Sequence, residues 1–422
     1  MKKPLQIPTV SLLVLSVALA AAARDWPQWR GPERNSLSRE TGLLQQWPGV
    51  GPRLLWAITN VGAGYSTPSV VGERFYLLGN EGLEHEFVAA RAVKDGQPVW
   101  ATRLGKVGNP QQQPKFPAAR STPTVDGKFL YALSSDGDLA CLETGTGKLR
   151  WRKNLRTDFG GKPGTWAYAE SPLVDGEHVI CTPGGTDATL VALDKKTGAL
   201  VWKCPLPEGD EAAYASAILV QAGGVRQCVQ FLQKGLVGVD AKTGKFLWRY
   251  SKPISRYGAN VPSPLASDVF VYVAAAGTGA GVVQLKKAAG GVAAEPLYFE
   301  AKLPAVIGGA VKVGDRLYGT TTQALICADF ATGKVKWEAP ALGAASLCHA
   351  DGRLYLHGEN GEVALVEPAP DAYREQGRFT PPNPPQHTNP TEKAWAYPVV
   401  ANGRLYLRDQ GTVWCYDVKA RK

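Results

Sequence analysis

The chain has 422 residues, including 47 glycines and 31 prolines, and carries a net charge of +10. The length alone would allow two or three domains. The basic residues are scattered over predicted turns and form a dense run only at residues 419–422, a distribution that argues against a nucleic-acid interface.

Residues 1–23 have the features of a secretory signal peptide. Two lysines precede an apolar run from Ile7 to Leu19, and small residues follow it. We predict cleavage before Arg24. The apolar run is short for a membrane-spanning helix, and no cysteine lies at the cleavage region to carry a lipid. We therefore expect a periplasmic or secreted protein with no membrane span after cleavage.

A cassette of about eleven residues that ends in tryptophan recurs down the chain. Its clearest copy runs from Ala192 through Asp194, Thr197 and Gly198 to Trp202. An acidic side chain can accept backbone N–H groups in a tight turn, and glycine supplies the positive φ that a bulged hairpin needs. The cassette therefore predicts two antiparallel strands. Further copies end at Trp100, Trp151, Trp248 and Trp337.

A second turn signal precedes each cassette. Asp126-Gly127 is a two-residue turn between apolar runs, and Asp175-Gly176 and Asp351-Gly352 repeat it. Each unit is therefore a four-stranded meander. Outside the first residues, no helical periodicity extends over more than a few turns.

The spacing of the units predicts an eight-bladed β-propeller. One aromatic residue closes each unit, at intervals of roughly 40 to 50 residues, which is typical of four-stranded blades. The last unit, from about Tyr397 to Val418, has only three strands. We predict that the strand around Trp56 completes it, since ring closure removes an open sheet edge. The closing residues are Trp56, Trp100, Trp151, Trp202, Trp248, Tyr298, Trp337 and Phe379.

Two other repeat classes fit less well. In WD repeats a Trp-Asp pair precedes the hairpin, whereas here the acidic residue stands eight positions before the tryptophan. Kelch repeats place Gly-Gly pairs at a fixed position, and the pairs in this chain hold none. The seven cysteines fall in strands of different blades, so we expect free, buried thiols that act as small hydrophobic side chains.

The pattern Ala-x-Asp-x-x-Thr-Gly-x-x-x-Trp resembles the repeat of the pyrroloquinoline quinone (PQQ) superfamily, from about Leu54 to the C-terminus. That group includes eight-bladed quinoprotein alcohol and glucose dehydrogenases and cofactor-free propellers of the BamB type. The resemblance implies that each cassette tryptophan stacks on the next blade and that its indole N–H bonds the backbone near the first residue of a cassette. The implied blade-docking residues are Trp56, Trp100, Trp151, Trp202, Trp248 and Trp337.

The leader before the first strand also resembles a known group. It contains Asp25-Trp26-Pro27-Gln28-Trp29-Arg30-Gly31-Pro32, which is similar to exported PQQ-like propellers of the planctomycete type. We interpret residues 24–53 as a strap across one face of a propeller formed by residues 54–418, with residues 419–422 as a basic tail.

Ligand positions are expected just before the first strand of each blade, at the mouth of the central funnel. Aromatic and polar residues occupy these positions in most blades. The predicted funnel-mouth binding residues are Tyr65, Trp166, Tyr168, Tyr214, Tyr257, Trp395 and Tyr397.

The resemblance also raises the question of PQQ and Ca²⁺. By position, Glu170 and Asn260 resemble the calcium ligands of the family, and Arg120 could pair with a carboxylate of the quinone. However, the stretch from Pro304 to Gly309, where the family has its catalytic aspartate, holds no carboxylate, and no two cysteines are adjacent. We therefore expect no catalytic residue, no metal and no cofactor.

The sequence thus favours a monomeric binding or scaffold module of the cell envelope, with a protein or a glycan as its partner, since aromatic rings at a mouth suit such contacts. The alternative is a PQQ- and calcium-dependent alcohol or sugar dehydrogenase. A third hypothesis is a hydrolase or lyase that uses Glu170, His349 or His387.

Overall fold

The computed structural model of the protein describes residues 25–112, 115–256, 258–289, 291–387 and 391–421. In these residues 32 strands form eight antiparallel sheets of four strands each. The innermost strands of most neighbouring sheets contact one another around a ring, as the repeat spacing predicts. The described ranges contain one short 3₁₀ turn, Pro110–Gln112, and no helix that is long and apolar enough to cross a membrane. The predicted signal peptide lies outside the described residues.

The first seven blades follow the chain order, with the innermost strand first. They are blade 1, β2 (Ser69–Val71), β3 (Arg74–Glu81), β4 (His85–Ala92) and β5 (Pro98–Gly105); blade 2, β6 (Thr124–Asp126), β7 (Phe129–Leu133), β8 (Asp138–Glu143) and β9 (Leu149–Asn154); blade 3, β10 (Leu173–Asp175), β11 (His178–Cys181), β12 (Leu190–Asp194) and β13 (Leu200–Cys204); blade 4, β14 (Ile218–Ala222), β15 (Val225–Leu232), β16 (Gly235–Asp240) and β17 (Phe246–Tyr250); blade 5, β18 (Leu265–Ser267), β19 (Phe270–Ala275), β20 (Gly279–Ala288) and β21 (Gly291–Glu300); blade 6, β22 (Ala310–Val313), β23 (Arg316–Thr320), β24 (Leu325–Asp329) and β25 (Val335–Ala339); and blade 7, β26 (Ala345–Ala350), β27 (Arg353–Gly358), β28 (Val363–Glu367) and β29 (Arg374–Phe379).

Blade 8 joins the two ends of the chain. It contains β30 (Val399–Ala401), β31 (Arg404–Asp409), β32 (Thr412–Asp417) and β1 (Arg53–Ile58), in that order from the channel outward. Within it Trp56 of β1 lies opposite Cys415 of β32. The predicted ring closure by the N-terminal strand is thus confirmed, and β1 gives β32 the outer neighbour that the chain's last three strands lack.

The outer hairpins have the turn chemistry that the cassette predicts. In blade 3 the Oδ1 atom of Asp194 accepts hydrogen bonds from the backbone N–H groups of Lys196 (3.0 Å) and Thr197 (2.8 Å) and from the Thr197 hydroxyl (2.9 Å). Gly198 follows with a φ of +72°, and the strand register shifts at the bulge beside it. Asp240 and Asp329 make similar contacts with Thr243 and Thr332.

The closing aromatic residue of most blades bonds the turn of the next blade. The Trp151 indole donates to the carbonyl of Lys195 (3.1 Å), the residue just after the acidic position and not the first residue of the cassette. Trp248 differs, because it donates to the Gln227 side chain of its own blade (2.7 Å). The outer hairpin of the next blade, β20–β21, is long and lacks the Thr-Gly turn. Equivalent contacts join Trp56 to Val93, Trp100 to Thr144, Trp202 to Ala241, Tyr298 to Phe330 and Trp337 to Ala369.

The hydrophobic core lies between the blades. One buried cluster, for example, joins Leu190 and Trp202 of blade 3 to Cys228 and Val237 of blade 4. All seven cysteines are buried and none forms a disulfide. Burial of this kind, repeated between neighbouring sheets, holds the ring together because one four-stranded blade cannot cover its own apolar faces.

Residues 25–52, which precede β1, run first along the channel and then outward. Trp26 exchanges two backbone hydrogen bonds with Val70 of blade 1 (2.7 and 2.8 Å). Farther along, Leu44 donates to the carbonyl of Val418 in blade 8 (2.8 Å), and Trp47 donates to that of Gln376 in blade 7 (2.9 Å).

Candidate functional site

A cavity of about 500 Å³ opens at the mouth of the funnel, and we call it the mouth cavity. Most of its wall comes from residues that lead into the innermost strands, where ligand positions are expected. Six residues singled out from the sequence line it, namely Tyr65, Arg120, Trp166, Tyr214, Trp395 and Tyr397. Among the lining residues that were not foreseen are Trp29, Phe116, Glu359, Thr391 and Lys393.

Aromatic rings form an almost continuous wall. Phe116 and Trp395 are parallel to within 7°, with centroids 6.4 Å apart, and Tyr65 lies 5.0 Å from Trp395. On the other side of Phe116, Trp166 makes an edge contact at 6.5 Å, and Tyr214 follows at 5.8 Å from Trp166. Such rings offer a large apolar surface that loses little conformational entropy on binding.

The floor of the mouth cavity comes from the N-terminal segment. The indole of Trp29 donates to the Ser263 hydroxyl (2.9 Å), and its ring meets that of Tyr397 edge-on at 4.6 Å. Tyr397 in turn donates to the carbonyl of Ile307 (2.8 Å). These contacts hold Trp29 in the lining of the cavity, on the side where the N-terminal segment lies.

Several polar atoms of the wall are already used within the protein. The Trp395 indole donates to a carboxylate oxygen of Glu359 (2.9 Å). The Tyr214 hydroxyl accepts from the backbone N–H of Trp166 (3.2 Å). The surface that remains for a ligand is therefore mainly apolar.

Arg120 is one of two half-buried cationic residues in the described lining, the other being Lys393. Its guanidinium donates to the carbonyls of Trp166 and Phe116 (3.1 Å for the latter) and so ties two wall segments together. Burial lowers the pKa of Arg120, whereas nearby Glu86 opposes that shift. Glu86 is itself fully buried, and its carboxylate accepts hydrogen bonds from the backbone N–H and the hydroxyl of Ser135. Burial raises the pKa of Glu86 to about 7.

The residues that resemble calcium ligands lie behind the wall. The carboxylate of Glu170 accepts from the Thr182 hydroxyl (2.8 Å), the Thr182 N–H and the Gln230 amide (3.0 Å). Burial raises the pKa of Glu170 to about 7. The Oδ1 atom of Asn260 accepts from Ser255 N–H (2.8 Å), and its amide donates to the Leu232 carbonyl (2.6 Å).

The donor set does not fit a quinone with calcium. Ca²⁺ needs several hard oxygen ligands at once, and the oxygens of Glu170 and Asn260 already accept hydrogen bonds from this chain. No group of three or more acidic, histidine or cysteine side chains in the described ranges is placed to hold a metal ion. A tricarboxylate in the mouth cavity would meet only Arg120 and Lys393 as cationic lining residues within the described part of the chain.

One further predicted residue lies away from the cavity lining. Tyr168 is buried and donates to the carbonyl of Pro183 (2.8 Å), so its hydroxyl is used inside blade 3. Tyr257 lies outside the described residues.

The histidines of the hydrolase hypothesis do not meet Glu170. His349 stands in β26 of blade 7, where burial lowers its pKa, and His387 pairs with Asp409 of blade 8 at 3.0 Å. Glu170 leads into blade 3, across the ring.

These five unforeseen wall residues come from four places. Phe116 stands in the connection between β5 and β6, and Thr391 and Lys393 stand in that between β29 and β30. Both connections exceed seventeen residues, a length that could have marked them as candidates. Glu359 lies in the short turn between β27 and β28, and Trp29 lies in the leader, which has no repeat partner.

Comparison with known proteins gives one family match. A family model described as outer membrane protein assembly factor BamB matches residues 84–337, more than half of the chain. BamB of Moranella endobia is 28% identical over 120 residues, 27% of this chain and 30% of that protein. BamB of Bordetella pertussis is 24% identical over 210 residues, 49% and 47% of the two chains. The quinoprotein alcohol dehydrogenase PedH of Pseudomonas putida is 26% identical over 161 residues, 37% and 26% of the two chains.

The matched segments thus span less than half of each of these relatives. Among solved structures, BamB from Moraxella catarrhalis aligns with a TM-score of 0.60 at 15% identity, over 87% of this chain and 98% of that one. Quinohemoprotein alcohol dehydrogenase from Comamonas testosteroni aligns with a TM-score of 0.63 at 14% identity, over 97% and 82%. At these identities the likeness shows the fold and does not separate a binding protein from a dehydrogenase.

Proposed function

The chain belongs to the PQQ-like β-propeller family whose model is described as outer membrane protein assembly factor BamB, and we propose that it is a binding module of the cell envelope that works without a catalytic cofactor. Its curated relatives named BamB are assembly factors of the outer membrane, and this name supports an envelope location for the present chain. We place the binding site at the mouth cavity.

The observation that carries the proposal is the aromatic wall. Rings of Tyr65, Phe116, Trp166 and Trp395 face a cavity of about 500 Å³, and the Trp395 indole and the Tyr214 hydroxyl of its wall already form hydrogen bonds within the chain. Clusters of partly buried aromatic rings around a cavity act as anchor sites, where a partner gains most from inserting an apolar side chain. A sugar would need several polar groups that are free to bond its hydroxyls, so the wall favours a protein partner over a glycan.

The positive charge at the wall favours a partner that carries negative charge. Arg120 and Lys393 line the mouth cavity, and the sole lining carboxylate in the described residues, Glu359, accepts from the Trp395 indole. A partner with a carboxylate beside its apolar anchor would therefore be favoured, chiefly through its association rate.

Site-specific photo-crosslinking tests the proposal. A photoreactive amino acid replaces Phe116 at the cavity wall or, as the matched control, Leu200, which is 48% exposed on the outer strand of blade 3. In the native envelope we expect a discrete crosslinked protein from position 116 and not from position 200. The Trp395→Ala substitution should abolish it, and the purified pair should bind with a measurable Kd. Equal crosslinking at both positions would refute the proposal.

Two other outcomes identify other ligands. Envelope polysaccharide that quenches tryptophan fluorescence of the wild type, and not of Trp395→Ala, would show a glycan-binding site. Saturable thermal stabilisation by PQQ with Ca²⁺, accompanied by dye reduction with alcohols or sugars and lost in Glu170→Ala, would show a dehydrogenase.

A further inference from the structure

The N-terminal residues 26–38, which we call the channel segment, touch all eight blades. Each contact falls on an innermost strand or on the residues that lead into it. The contacted residues, in blade order, are Val70, Val125, Ser171 with Pro172, Ala217, Ser263, Ala310, His349 and Val400.

Two arginines of the channel segment are almost completely buried. Arg34 is 3% exposed, and its guanidinium donates to the carbonyls of Ala217 (2.9 Å), Ser171 (3.2 Å) and Pro172. Its Nε atom donates to the Gln28 side chain (2.9 Å).

Arg30, which is 1% exposed, is bound in the same manner on the other side of the channel. It donates to the carbonyls of Ser263 (3.4 Å) and Ala310 and to the Ser36 hydroxyl (2.7 Å). None of these acceptors, for either arginine, is a carboxylate.

This bonding pattern follows from the geometry of a propeller. The innermost strand of each blade has one edge without a neighbouring strand, so carbonyls near the axis lack sheet partners. Unbonded buried carbonyls are unfavourable, as is a buried guanidinium without acceptors. A planar guanidinium carries five N–H donors and can therefore reach carbonyls of adjacent blades at once, which a lysine ammonium on its flexible stem does less well.

The backbone of the channel segment turns sharply, and the turns direct both arginine side chains toward the carbonyls of the blades. Arg30, Arg34 and Ser36 have φ values of +59°, +54° and +62°, a left-handed region that is unfavourable for residues other than glycine. Gly31 follows Arg30 at φ +83°, and a Cβ atom at this position would lie 3.1 Å from the Trp26 ring. These tight turns let two arginines four residues apart reach different parts of the ring, Arg34 blades 3 and 4 and Arg30 blades 5 and 6.

We propose that the carbonyls around the channel form a guanidinium-binding site and that the chain fills it with its own Arg30 and Arg34. The channel segment is then a plug that joins the eight blades from within and holds Trp29 as the floor of the mouth cavity. The inference is independent of the partner that binds at the mouth.

The position of Arg34 also bears on the calcium question. Its guanidinium bonds the carbonyl of Ser171, the residue after Glu170, and its charge favours the ionised form of the Glu170 carboxyl. In this chain an arginine thus adds positive charge near Glu170, where the family resemblance implies a metal, although burial still raises the pKa of that carboxyl to about 7.

Chemical rescue tests the guanidinium site. In Arg34→Ala we expect a lower Tm than in the wild type, and a saturable rise of Tm on addition of millimolar ethylguanidinium at constant ionic strength. Ethylammonium, which has the charge without the planar donors, should not restore it. The matched control is Arg226→Ala, which removes an arginine that is 54% exposed and pairs with Asp175 of the neighbouring blade; ethylguanidinium should leave its Tm unchanged.

A second variant and a second readout cover the case in which Arg34→Ala fails to fold. Refolding of that variant should then recover only when ethylguanidinium is present, and Arg30→Ala should show the same selectivity. The proposal is overturned if both alanine variants keep the wild-type Tm, if ethylammonium rescues as well as ethylguanidinium, or if neither compound rescues either variant.

Discussion

The indole of Trp151 in blade 2 lies on Gly198 in the turn of blade 3. A Cβ atom at Gly198 would fall 2.8 Å from the Trp151 ring, and the indole N–H bonds the carbonyl of Lys195 in the same turn. The glycine of the cassette therefore has two functions, since its positive φ forms the turn and its missing side chain admits the docking ring.

Gly198→Ala should consequently destabilise the protein more than an alanine placed at an open turn. Gly176 is the matched control, because it has a similar φ of +58° and nothing within 4 Å of its Cβ position. Both substitutions place an alanine in the left-handed region of φ, which lowers the free energy of unfolding by on the order of 1 kcal/mol. Only Gly198→Ala also displaces a ring, which should add about 1–3 kcal/mol in the free energy of unfolding. Equal losses in urea denaturation would contradict this account.

The docking of Trp248 should depend on a side-chain hydrogen bond, whereas the indoles of the other docking tryptophans donate to backbone carbonyls. Gln227 is fully buried and accepts the Trp248 indole N–H at 2.7 Å, so Gln227→Met should leave that donor without a partner. We expect a loss of about 1–3 kcal/mol.

A double-mutant cycle provides the control for this pair. In a Trp248→Phe background the same Gln227→Met change should be much less damaging, because no indole N–H remains to be satisfied. Additive losses in the cycle would show that the hydrogen bond has no energetic importance.

Glu86 should make stability depend on pH. Burial raises its pKa from 4.5 to about 7. Between these two pH values the folded state therefore keeps a proton on Glu86 that the unfolded state has released. Its contribution to stability is therefore present below pH 4.5 and is lost as the pH rises to about 7, by up to about 3 kcal/mol.

Glu86→Gln tests that sign. The amide cannot ionise, so the variant should gain stability relative to the wild type between pH 5 and pH 8, as measured by denaturant unfolding at each pH. A wild-type minus variant difference that is constant across this range would contradict the prediction.

The repeat made the architecture predictable. Each cassette encodes its own turn through Asp194 and Gly198 or their equivalents, and the surplus strand at Trp56 indicates closure. Because these signals recur, a copy that is hard to interpret alone can be aligned with the others. The number of blades and the class of the fold therefore followed from local chemistry.

The site was only partly predictable, because single-copy features decide it. Glu170 was correctly predicted to lie just before an innermost strand, yet its carboxylate accepts hydrogen bonds from Thr182, just after β11, and from Gln230 of β15. Such contacts depend on side-chain direction across strands, which spacing does not reveal. The leader suggested a strap across one face, and nothing in its sequence indicated that Arg30 and Arg34 enter the channel.

Thiol labelling can show whether the plug leaves the channel when an arginine is lost. Cys181 and Cys228 are buried, and the charge of Arg34 acts on both, where it lowers thiol pKa values that burial raises. In Arg34→Ala the thiol pKa values should rise further, which by itself slows alkylation because the thiolate is the reactive form. Faster labelling of these two cysteines would therefore require greater access.

We expect that acceleration, and we expect it to be local. Pulsed alkylation at pH 8 followed by peptide mass spectrometry should show faster labelling of Cys181 and Cys228, while Cys327 in blade 6 and Cys415 in blade 8 stay at the wild-type rate. Equal acceleration of all four would indicate global unfolding. Unchanged or slower labelling of Cys181 and Cys228 would mean that the channel segment stays in place without Arg34, held by its backbone bonds to Val70 and His349.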